Sequence, residues 1–585
     1  MNMNTNTTII RNGLYFDGTG KKGVLKDVII KGNKIDSVVD KAPTIEGAKE
    51  IDASGQWVMP GLLDIHAHYD AELEVMPALE ESVRHGVTTV IIGNCSLSAA
   101  LGKDTEIVDL FARVENIPAK ALSQWIVGNI KWKNVREYYE HLDTVPVGPN
   151  IASFLGHSNL RMHVMGLERS FTEKIASEEE LQKMEAIAEE AIQAGYLGIS
   201  IDMLPFHRWA GVYAPKFTGF SVPSQLAAKS EYKRLANVLR KHHRVLQITP
   251  NAIDKTSFGT IVRLSQGGFF KKTLKTTIVA ALDLKSNEKI YHLLQLLGFL
   301  GNSVLRANMK FQTLAVPFMN YGDGPVTPLF EEFPSMIKAI SSTEAERKAM
   351  FKSPAFRKQF VKEWNHKAAS VFPRALKEMW VVKSPVASHI GKNFEQIAQE
   401  AGKDSVEHFM DLLEEYDTHI RWKCETSNHR ESVRMELLAS KHCFPGFNDS
   451  GAHNVNMAFH DGALHLLKQA THHPDIMPIE KAIYRLTKEP ADYLGIDAGD
   501  ISVGKRADVV IIDPSKLDID LNTEPIEDYH PHFDGGYRLI KRSGKVVQHV
   551  FINGEEAYTN NGVTKFHEDL GKKKIFGQLL RSNLN

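Results

Sequence analysis

Through the middle of the chain, short apolar runs alternate with stretches whose apolar positions repeat at helical spacing. One helix is predicted after Ser177, which forms a capping box with Glu180 and is followed by apolar residues on one face as far as Gly195. The apolar runs predict buried strands at residues 151–157, 197–202, 245–249, 276–283, 309–316 and 444–449. Strands that alternate with helices in this way are typical of βα units, so the pattern predicts an α/β fold with a parallel barrel.

Both ends of the chain are rich in short strands instead. Residues 8–18 predict a strand, a turn at Asn12-Gly13 and a second strand, because Asn-Gly between apolar runs favours a hairpin. Short apolar runs that predict strands occur again near the other end, at residues 508–513 and 546–554. We therefore expect the two ends of the chain to meet in one small, composite β-sandwich.

These patterns divide the chain into two predicted domains. Residues 1–58 and 500–560 would form the β-sandwich, and residues 59–499 would form the barrel. The segment at about 325–441 is longer than a simple barrel connection and has a helical texture. We expect it to be an elaborate helical insertion over the active face.

Composition and charge narrow the class of protein. The chain has 585 residues, a formal net charge of −1 and three cysteines, which favours neither a nucleic-acid partner nor a disulfide framework. It has no apolar run near the roughly 18–20 residues that a membrane span needs, and its first residues do not resemble a secretory leader. The expected protein is cytoplasmic and acts on a small molecule without a membrane partner; a homodimer would be unremarkable.

The candidate chemistry begins with two histidines, His66 and His68, at the end of an apolar run. Alternate side chains of a strand face the same way, so the two imidazoles would project together. Such a pair suits a divalent metal ion, although two surface histidines would give the same spacing. Cys95 follows another apolar run, and zinc accepts mixed sulfur and nitrogen ligands. The competing interpretation of Cys95 is a small buried apolar side chain.

Several segments, in order along the chain, carry a resemblance to a known family. They are MPGLLDIHAH (59–68), VTTVIIGNC (87–95), GHSNLR (156–161), GFNDSGAH (446–453), PADYLG (490–495) and GKRADVVIID (504–513). The chain thereby resembles the amidohydrolase superfamily, and its second, third and fourth segments resemble the D-aminoacylase branch.

The resemblance implies a distorted (β/α)8 barrel of the TIM type that hydrolyses a carbon–nitrogen bond other than a peptide bond. The implied substrate is an N-acyl amino acid, of D rather than L configuration. The implied cofactor is one zinc ion, with a second, weakly bound ion as the alternative, and the implied ligands are His66, His68, Cys95 and Asp449. Asp449 would also be the general base, which takes a proton from the water that the metal activates and delivers it to the leaving amine. Its competing interpretation is a helix N-cap.

Four further residues are candidates for substrate binding. Lys285 and Arg161 could neutralise a substrate carboxylate, although a surface charge is the ordinary role of either residue. His157 follows a strand and could line the pocket or be a structural histidine. Asp283 stands where the resembled branch presents a histidine at strand six, so it is a candidate for substrate binding or for a metal ligand.

The chain departs from the branch at two predicted strands. Strand five (245–251) carries no histidine, and strand six carries Asp283 in its place. His207 or His453 could rebuild the site. The departure leaves two alternatives open: a metal-depleted barrel that serves as an assembly or regulatory protein, and a hydantoinase-like hydrolase of cyclic amides. The acyl group, the side chain and the stereochemistry of the substrate are not fixed by the sequence.

Overall fold

The computed structural model describes residues 7–251, 254, 256–267, 272–366, 370–521, 523–560 and 562–583. Strands from both ends of the chain lie in one nine-stranded sheet. In order across the sheet they are Lys565–Phe566, Glu555–Thr559, Val547–Ile552, Val509–Ile512, Trp57–Pro60, Thr7–Tyr15, Val24–Lys31 and Lys34–Val39, with Lys49–Asp52 also paired to Thr7–Tyr15. Trp57–Pro60 joins the two ends, because it pairs in parallel with the first strand and antiparallel with Val509–Ile512. The domain boundaries at residues 58 and 500 remain predictions.

The predicted turn at Asn12-Gly13 is wrong. Both residues lie inside the single strand Thr7–Tyr15, whose register with Val24–Lys31 shifts between Ile10 and Gly13. Asn12 has a φ of 59°, so the pair forms a bulge rather than a hairpin. A valine, Val58, packs where a Cβ on Gly13 would stand, which explains the glycine.

The centre of the chain is built from parallel strands in two sheets. One sheet holds Leu62–Asp64, Val87–Ile92 and Asn150–Ser153. The other holds Leu155–Gly156, Gly198–Asp202, Val245–Thr249, Lys275–Ile278, Asn308–Gln312 and Cys443–Phe444. Phe154 separates the two sheets, and its backbone N–H donates to Ile92 at 3.0 Å. At the other edge, Ile65 N donates to Gly446 O at 3.1 Å, so the first and last strands are neighbours although no continuous ladder joins them.

The strand ends differ from the prediction. Val245–Thr249 has the predicted bounds, but the strands Lys275–Ile278 and Cys443–Phe444 end early. Asp283 and Asp449 therefore lie in irregular segments beyond their strands rather than at the strand ends.

Helices surround the parallel strands. The predicted capping box is present, with Ser177 Oγ accepting from Glu180 N, and the helix Glu178–Ala194 ends at Gly195 in the left-handed conformation. The other helices in the described part of this region are Glu80–Arg84, Asp104–Val114, Ala119–Ile126, Val135–Leu142, His157–Met165, Leu167–Thr172, Pro223–Leu226, Lys229–Lys241, Thr256–Ser265, Ile290–Phe299, Glu431–Ala439, Gly462–His472, Ile479–Leu486, Lys488–Leu494 and Leu517–Asp520. None of the helices in the described residues combines the length and apolar character that crossing a membrane requires.

The segment at about 325–441 is mixed rather than purely helical. Its helices are Pro334–Ile340, Glu344–Lys352, Pro354–Trp364, Phe394–Glu400 and Ser405–Tyr416. An antiparallel sheet, in the order Phe318–Asp323, Arg421–Ser427, Met379–Lys383, packs with them around a separate aromatic core that includes Phe330, Phe360 and Trp422. A two-stranded sheet, Ile526–Asp528 with Arg538–Ile540, completes the strands.

Candidate metal centre

His66 and His68 lie just beyond the first parallel strand, and their rings converge. Their Nε2 atoms are 3.1 Å apart, and both side chains are buried. Asp64 helps to fix this strand end, because its Oδ1 accepts from His66 N at 3.2 Å and from Asn448 N at 3.4 Å. Phe447 packs edge-on against the His66 ring. The two imidazoles are thus held toward one point by contacts from the first and last strand segments.

Cys95 joins the two histidines. Its Sγ lies 3.3 Å from His66 Nε2, and one donor atom from each of the three residues lies within 4.8 Å of the others. Cys95 has a φ of 51°, a conformation that is uncommon for a residue other than glycine and is found at functional sites. Strand five stabilises it: Cys95 N donates to Gln247 Oε1 at 2.9 Å, and Thr249 Oγ1 donates to Sγ at 3.2 Å.

Asp449 reaches the same point from the last strand segment. Its Oδ1 lies 3.3 Å from His68 Nε2 and 3.8 Å from His66 Nε2. Burial would raise the pKa of this carboxyl, but its hydrogen bond to His68 and the nearby imidazoles lower that pKa to about 2. Like Cys95, Asp449 has a positive φ, of 52°. It is therefore an ionised carboxylate beside the three donors.

Glu115 is a site residue that the sequence analysis missed. It follows the helix Asp104–Val114, is fully buried, and places Oε1 3.0 Å from His68 Nδ1. Its Oε2 accepts from His453 N at 3.1 Å. A glutamate at the end of a helix normally predicts an exposed charge, so the sequence carries no signal for this role. A carboxylate on the second nitrogen of a histidine is the usual way to orient a metal ligand.

The electrostatics of the cluster favour a cation. Burial, followed by the charge of His68, lowers the pKa of His66 to about 3, so that imidazole is neutral and presents a lone pair. Burial alone would also lower the pKa of His68, but Glu115 and Asp449 outweigh it and raise that pKa well above its ordinary value. Two buried carboxylates thus stabilise positive charge where the donors meet. Two nitrogens and one sulfur are a donor set that suits zinc, so the residues present fit a metal ion.

The cluster opens into a cavity of about 670 Å³, which is within the usual range for a small-molecule site. His66, His68, Cys95, Glu115 and Asp449 all line it. The other polar side chains in the cavity wall are those of His207, Thr249, Ser286, Asn287, Ser370, Thr426, Ser427 and His453. Most of the rest of the wall is apolar.

The two residues proposed to rebuild the site, His207 and His453, are both in the wall. Their rings are 6.2 Å apart, and His207 Nδ1 lies 2.9 Å from Asp202 Oδ2. Neither belongs to the group of converging donors, which holds only His66, His68 and Cys95 among the described residues.

The prediction that Asp283 and Lys285 bind substrate is not supported by their places in the structure. Leu282 and Leu284 line the cavity, whereas these two charged residues do not. Asp283 is fully buried in a two-pronged ion pair with Arg430, whose Nε donates at 2.9 Å. Lys285 Nζ lies 3.1 Å from Glu378 and 3.0 Å from Glu425, so two ion pairs neutralise its charge.

The prediction that His157 and Arg161 bind substrate is likewise not supported by their places in the structure. Both are fully buried in the helix His157–Met165, outside the cavity wall. His157 Nε2 lies 2.9 Å from Glu231 Oε1, and Arg161 pairs with the other oxygen of Glu231. Ser224 Oγ contacts His157 Nδ1 at 2.9 Å. The alternative interpretation of His157, a structural histidine, is the one that these contacts support.

Comparisons with known proteins identify the family. Two models of the amidohydrolase family match residues 49–249 and 424–557. An uncharacterized protein from Mycobacterium tuberculosis is 35% identical over 600 aligned residues, which cover 99% of this chain and 96% of that protein. A D-aminoacylase from Alcaligenes xylosoxydans xylosoxydans is 31% identical over 193 residues, but these cover only 33% of this chain and 37% of the enzyme.

Solved structures agree on the fold. A D-aminoacylase with a binuclear metal centre matches with a TM-score of 0.64 and 19% identity, over 98% of this chain and 99% of that one. An N-acyl-D-glutamate deacylase from Bordetella bronchiseptica, complexed with zinc and a phosphonate inhibitor, matches with a TM-score of 0.63 and 18% identity, over the same shares. The chain belongs to the amidohydrolase family and is a hydrolase that acts on carbon–nitrogen bonds.

Proposed function

We propose that this chain is a metal-dependent hydrolase that cleaves the amide bond of an N-acyl amino acid. The observation that carries the proposal is the convergence of His66, His68 and Cys95 within 4.8 Å of one another, with the Asp449 carboxylate beside them. We further infer that the parallel strands form a distorted (β/α)8 barrel, in which Asn150–Ser153 and Leu155–Gly156 count as one strand interrupted at Phe154, since catalytic groups of such barrels lie at the carboxyl ends of the strands. The barrel would take residues 59–499, outside the composite domain of the chain ends.

In this proposal, His66, His68 and Cys95 would hold one zinc ion, which would supply Lewis-acid activation of water and of the scissile carbonyl. Asp449 would accept a proton from the attacking water on the oxygen nearest His68 and deliver it to the nitrogen of the leaving amine. Glu115 fixes the His68 ring, so that Nε2 faces the cavity. The buried wall around the cluster keeps bulk water from the reacting groups.

The substrate class follows from the relatives. Curated relatives that match part of the chain are D-aminoacylase, N-acyl-D-aspartate deacylase and N-acyl-D-glutamate deacylase. We therefore propose an N-acyl amino acid of D configuration, with release of a carboxylate and a free amino acid. None of the lysines or arginines that the structure describes lines the cavity, so among the described residues a substrate carboxylate would be bound by histidines, hydroxyls or backbone N–H groups.

The test is hydrolysis of N-acyl-D- and N-acyl-L-amino acids by metal-free and zinc-restored protein. We expect zinc-dependent release of free amine, with the D series preferred. Asp449→Asn should retain zinc but lose about 10²–10⁴-fold in kcat, which is the usual contribution of a general base. Asp461→Asn is the matched control, because Asp461 is a buried aspartate 3.2 Å from His465 that lies outside the cavity wall. An Asp449→Asn variant with full activity would contradict the proposed role.

A further inference from the structure

One wall of the cavity is a leucine-rich helix, Ile290–Phe299. Leu293, Leu294 and Leu297 all line the cavity from this helix. Residues three and four positions apart on a helix lie on one face, and Leu297 is four positions from Leu293 and three from Leu294. These side chains therefore form a continuous apolar strip along the wall. The strip leads from the interior, where Leu294 is buried, to the surface, where 42% of Leu293 is exposed.

Further apolar side chains of the helix lie outside the cavity wall. Leu296 and Phe299 are 51% and 50% exposed, and Leu300, which follows directly, is exposed as well. The helix therefore presents apolar side chains both to the cavity and to the solvent at its mouth.

Aromatic and aliphatic side chains from other elements add to the apolar part of the wall. Phe206 and Phe372, whose ring centroids are 5.9 Å apart, face the cavity together with Phe258 and Leu284. Phe372 comes from the segment at about 325–441, so that segment supplies hydrocarbon to the wall. The described part of the wall contains no lysine or arginine. Lys255, Lys271 and Lys367 are not among the described residues.

We propose that the cavity binds a long hydrocarbon acyl group of the substrate, with the scissile carbonyl at the metal cluster and the chain along Leu293, Leu294 and Leu297. This inference rests on the proposed function, and it specifies the acyl group of the N-acyl amino acid. The amine half of an N-acyl amino acid carries a carboxylate, which is costly to bury against apolar side chains. The acyl half can be hydrocarbon throughout, so it is the half that the wall suits.

Hydrolysis of such a substrate is balanced by water alone. The oxygen of water joins the carbonyl carbon, the carbon–nitrogen bond breaks, and Asp449 passes the proton to the amine nitrogen. The products are a medium- or long-chain carboxylate and a free amino acid. Reactions that acylate amino acids with fatty acyl groups would be the class that supplies the substrate.

A chain-length series tests the inference. N-acetyl-, N-hexanoyl- and N-decanoyl-D-leucine share one amine, so only the acyl chain changes. Burial of one methylene contributes about 0.8 kcal/mol, which corresponds to about a fourfold rise in kcat/KM per fully buried methylene. We expect a monotonic rise of about two- to fourfold per methylene along the series. A flat profile, or a preference for the acetyl compound, would overturn the inference while leaving the amide hydrolase in place.

Two exposed leucines of one helix give matched variants. Leu293→Ser removes a side chain that lines the cavity, and Leu296→Ser removes one that does not, although both are about half exposed. We expect Leu293→Ser to lower kcat/KM on the decanoyl compound about fivefold and to leave the acetyl compound unchanged. Leu296→Ser should match the unaltered protein on both. Equal effects of the two variants, or an equal loss on both substrates, would contradict the assignment of the strip.

Binding separates this inference from the proposed function. Decanoate and acetate can be titrated calorimetrically into the purified protein below the concentration at which decanoate forms micelles, whether or not any amide is hydrolysed. The inference predicts that decanoate binds, that acetate binds at least tenfold more weakly, and that Leu293→Ser weakens only decanoate. Failure of decanoate to bind would overturn the inference. Decanoate binding without zinc-dependent hydrolysis of any N-acyl compound would instead refute the proposed function.

Discussion

Replacement of Glu115 by glutamine should weaken metal binding while preserving the shape of the site. Glu115 serves two neighbours, since one carboxylate oxygen lies 3.0 Å from His68 Nδ1 and the other accepts from His453 N at 3.1 Å. Glutamine has a single acceptor oxygen, so it can satisfy only one of these two. A buried donor left without its partner costs about 1–3 kcal/mol.

When the single oxygen of the glutamine accepts from His453 N, the Nδ1 atom of His68 loses its carboxylate partner, so this cost falls on a proposed metal ligand. Loss of a carboxylate behind a ligating histidine typically lowers metal affinity about 10–100-fold, or about 1.4–2.8 kcal/mol. The zinc affinity of Glu115→Gln should therefore be at least tenfold lower than that of the unaltered protein. Competition with a chromophoric chelator measures this affinity directly, and circular dichroism checks that the fold is retained.

Glu231→Gln is the matched control for this experiment. Glu231 is also a buried glutamate beside a histidine, 2.9 Å from His157, but it lies outside the cavity wall. Its replacement should lower stability without a change in zinc affinity. A zinc affinity of Glu115→Gln within about twofold of the unaltered protein would refute the reasoning, and so would an equal loss in Glu231→Gln.

Three further predictions concern residues away from the metal cluster. Arg161→Gln should lower the free energy of unfolding in urea by about 3–5 kcal/mol, because it removes the guanidinium that pairs with one oxygen of the buried Glu231 carboxylate, and a KM that rises without loss of stability would contradict this. Lys285→Met should change KM for any N-acyl amino acid by less than about twofold, and a larger rise would restore its substrate role. Burial raises the pKa of Cys443 to about 11 and that of Cys424 to about 12, so at pH 8 neither thiol should react with Ellman's reagent until urea unfolds the chain; rapid reaction of more than one of the three thiols in the folded protein would refute their burial.

The convergence of the candidate metal donors could be predicted from the sequence because local rules govern the positions of the two histidines. His66 and His68 are two residues apart at a strand end, and the strand period alone brings their rings together. Cys95 and Asp449 each follow a parallel strand segment, Val87–Ile92 and Cys443–Phe444. The alternation of strands and helices predicts that the carboxyl ends of these strands lie on the same side as His66 and His68. The prediction was less accurate for the strand ends, since Asp449 lies beyond a last strand of only two residues, Cys443–Phe444.

Side-chain partners could not be predicted in the same way, because they are chosen across long stretches of chain. Asp283 pairs with Arg430, and Lys285 pairs with Glu378 and Glu425, which all lie far along the sequence. In the sequence, a charged residue beside a predicted active site is a candidate for substrate binding, because the distant residue that neutralises its charge is not apparent there. Glu115 shows the converse, because only the folded chain places this helix-end carboxylate behind His68.

The apolar wall of the cavity depended on the same long-range assembly. Leu293 and Leu294 belong to one helix, and Phe372 belongs to the segment that packs around its own aromatic core. Each apolar residue is unremarkable in sequence, since helices and cores are rich in them. Their common orientation toward the cluster emerges only from the packing of these elements.

The metal content of the purified protein tests the central claim most directly. Elemental analysis after removal of loosely bound metal and supply of one equivalent of zinc should find about one zinc ion per chain. The His66→Ala/His68→Ala double variant should hold none while retaining its circular dichroism spectrum. Zinc bound equally by both proteins, or by neither, would contradict the metal centre assigned to His66, His68 and Cys95.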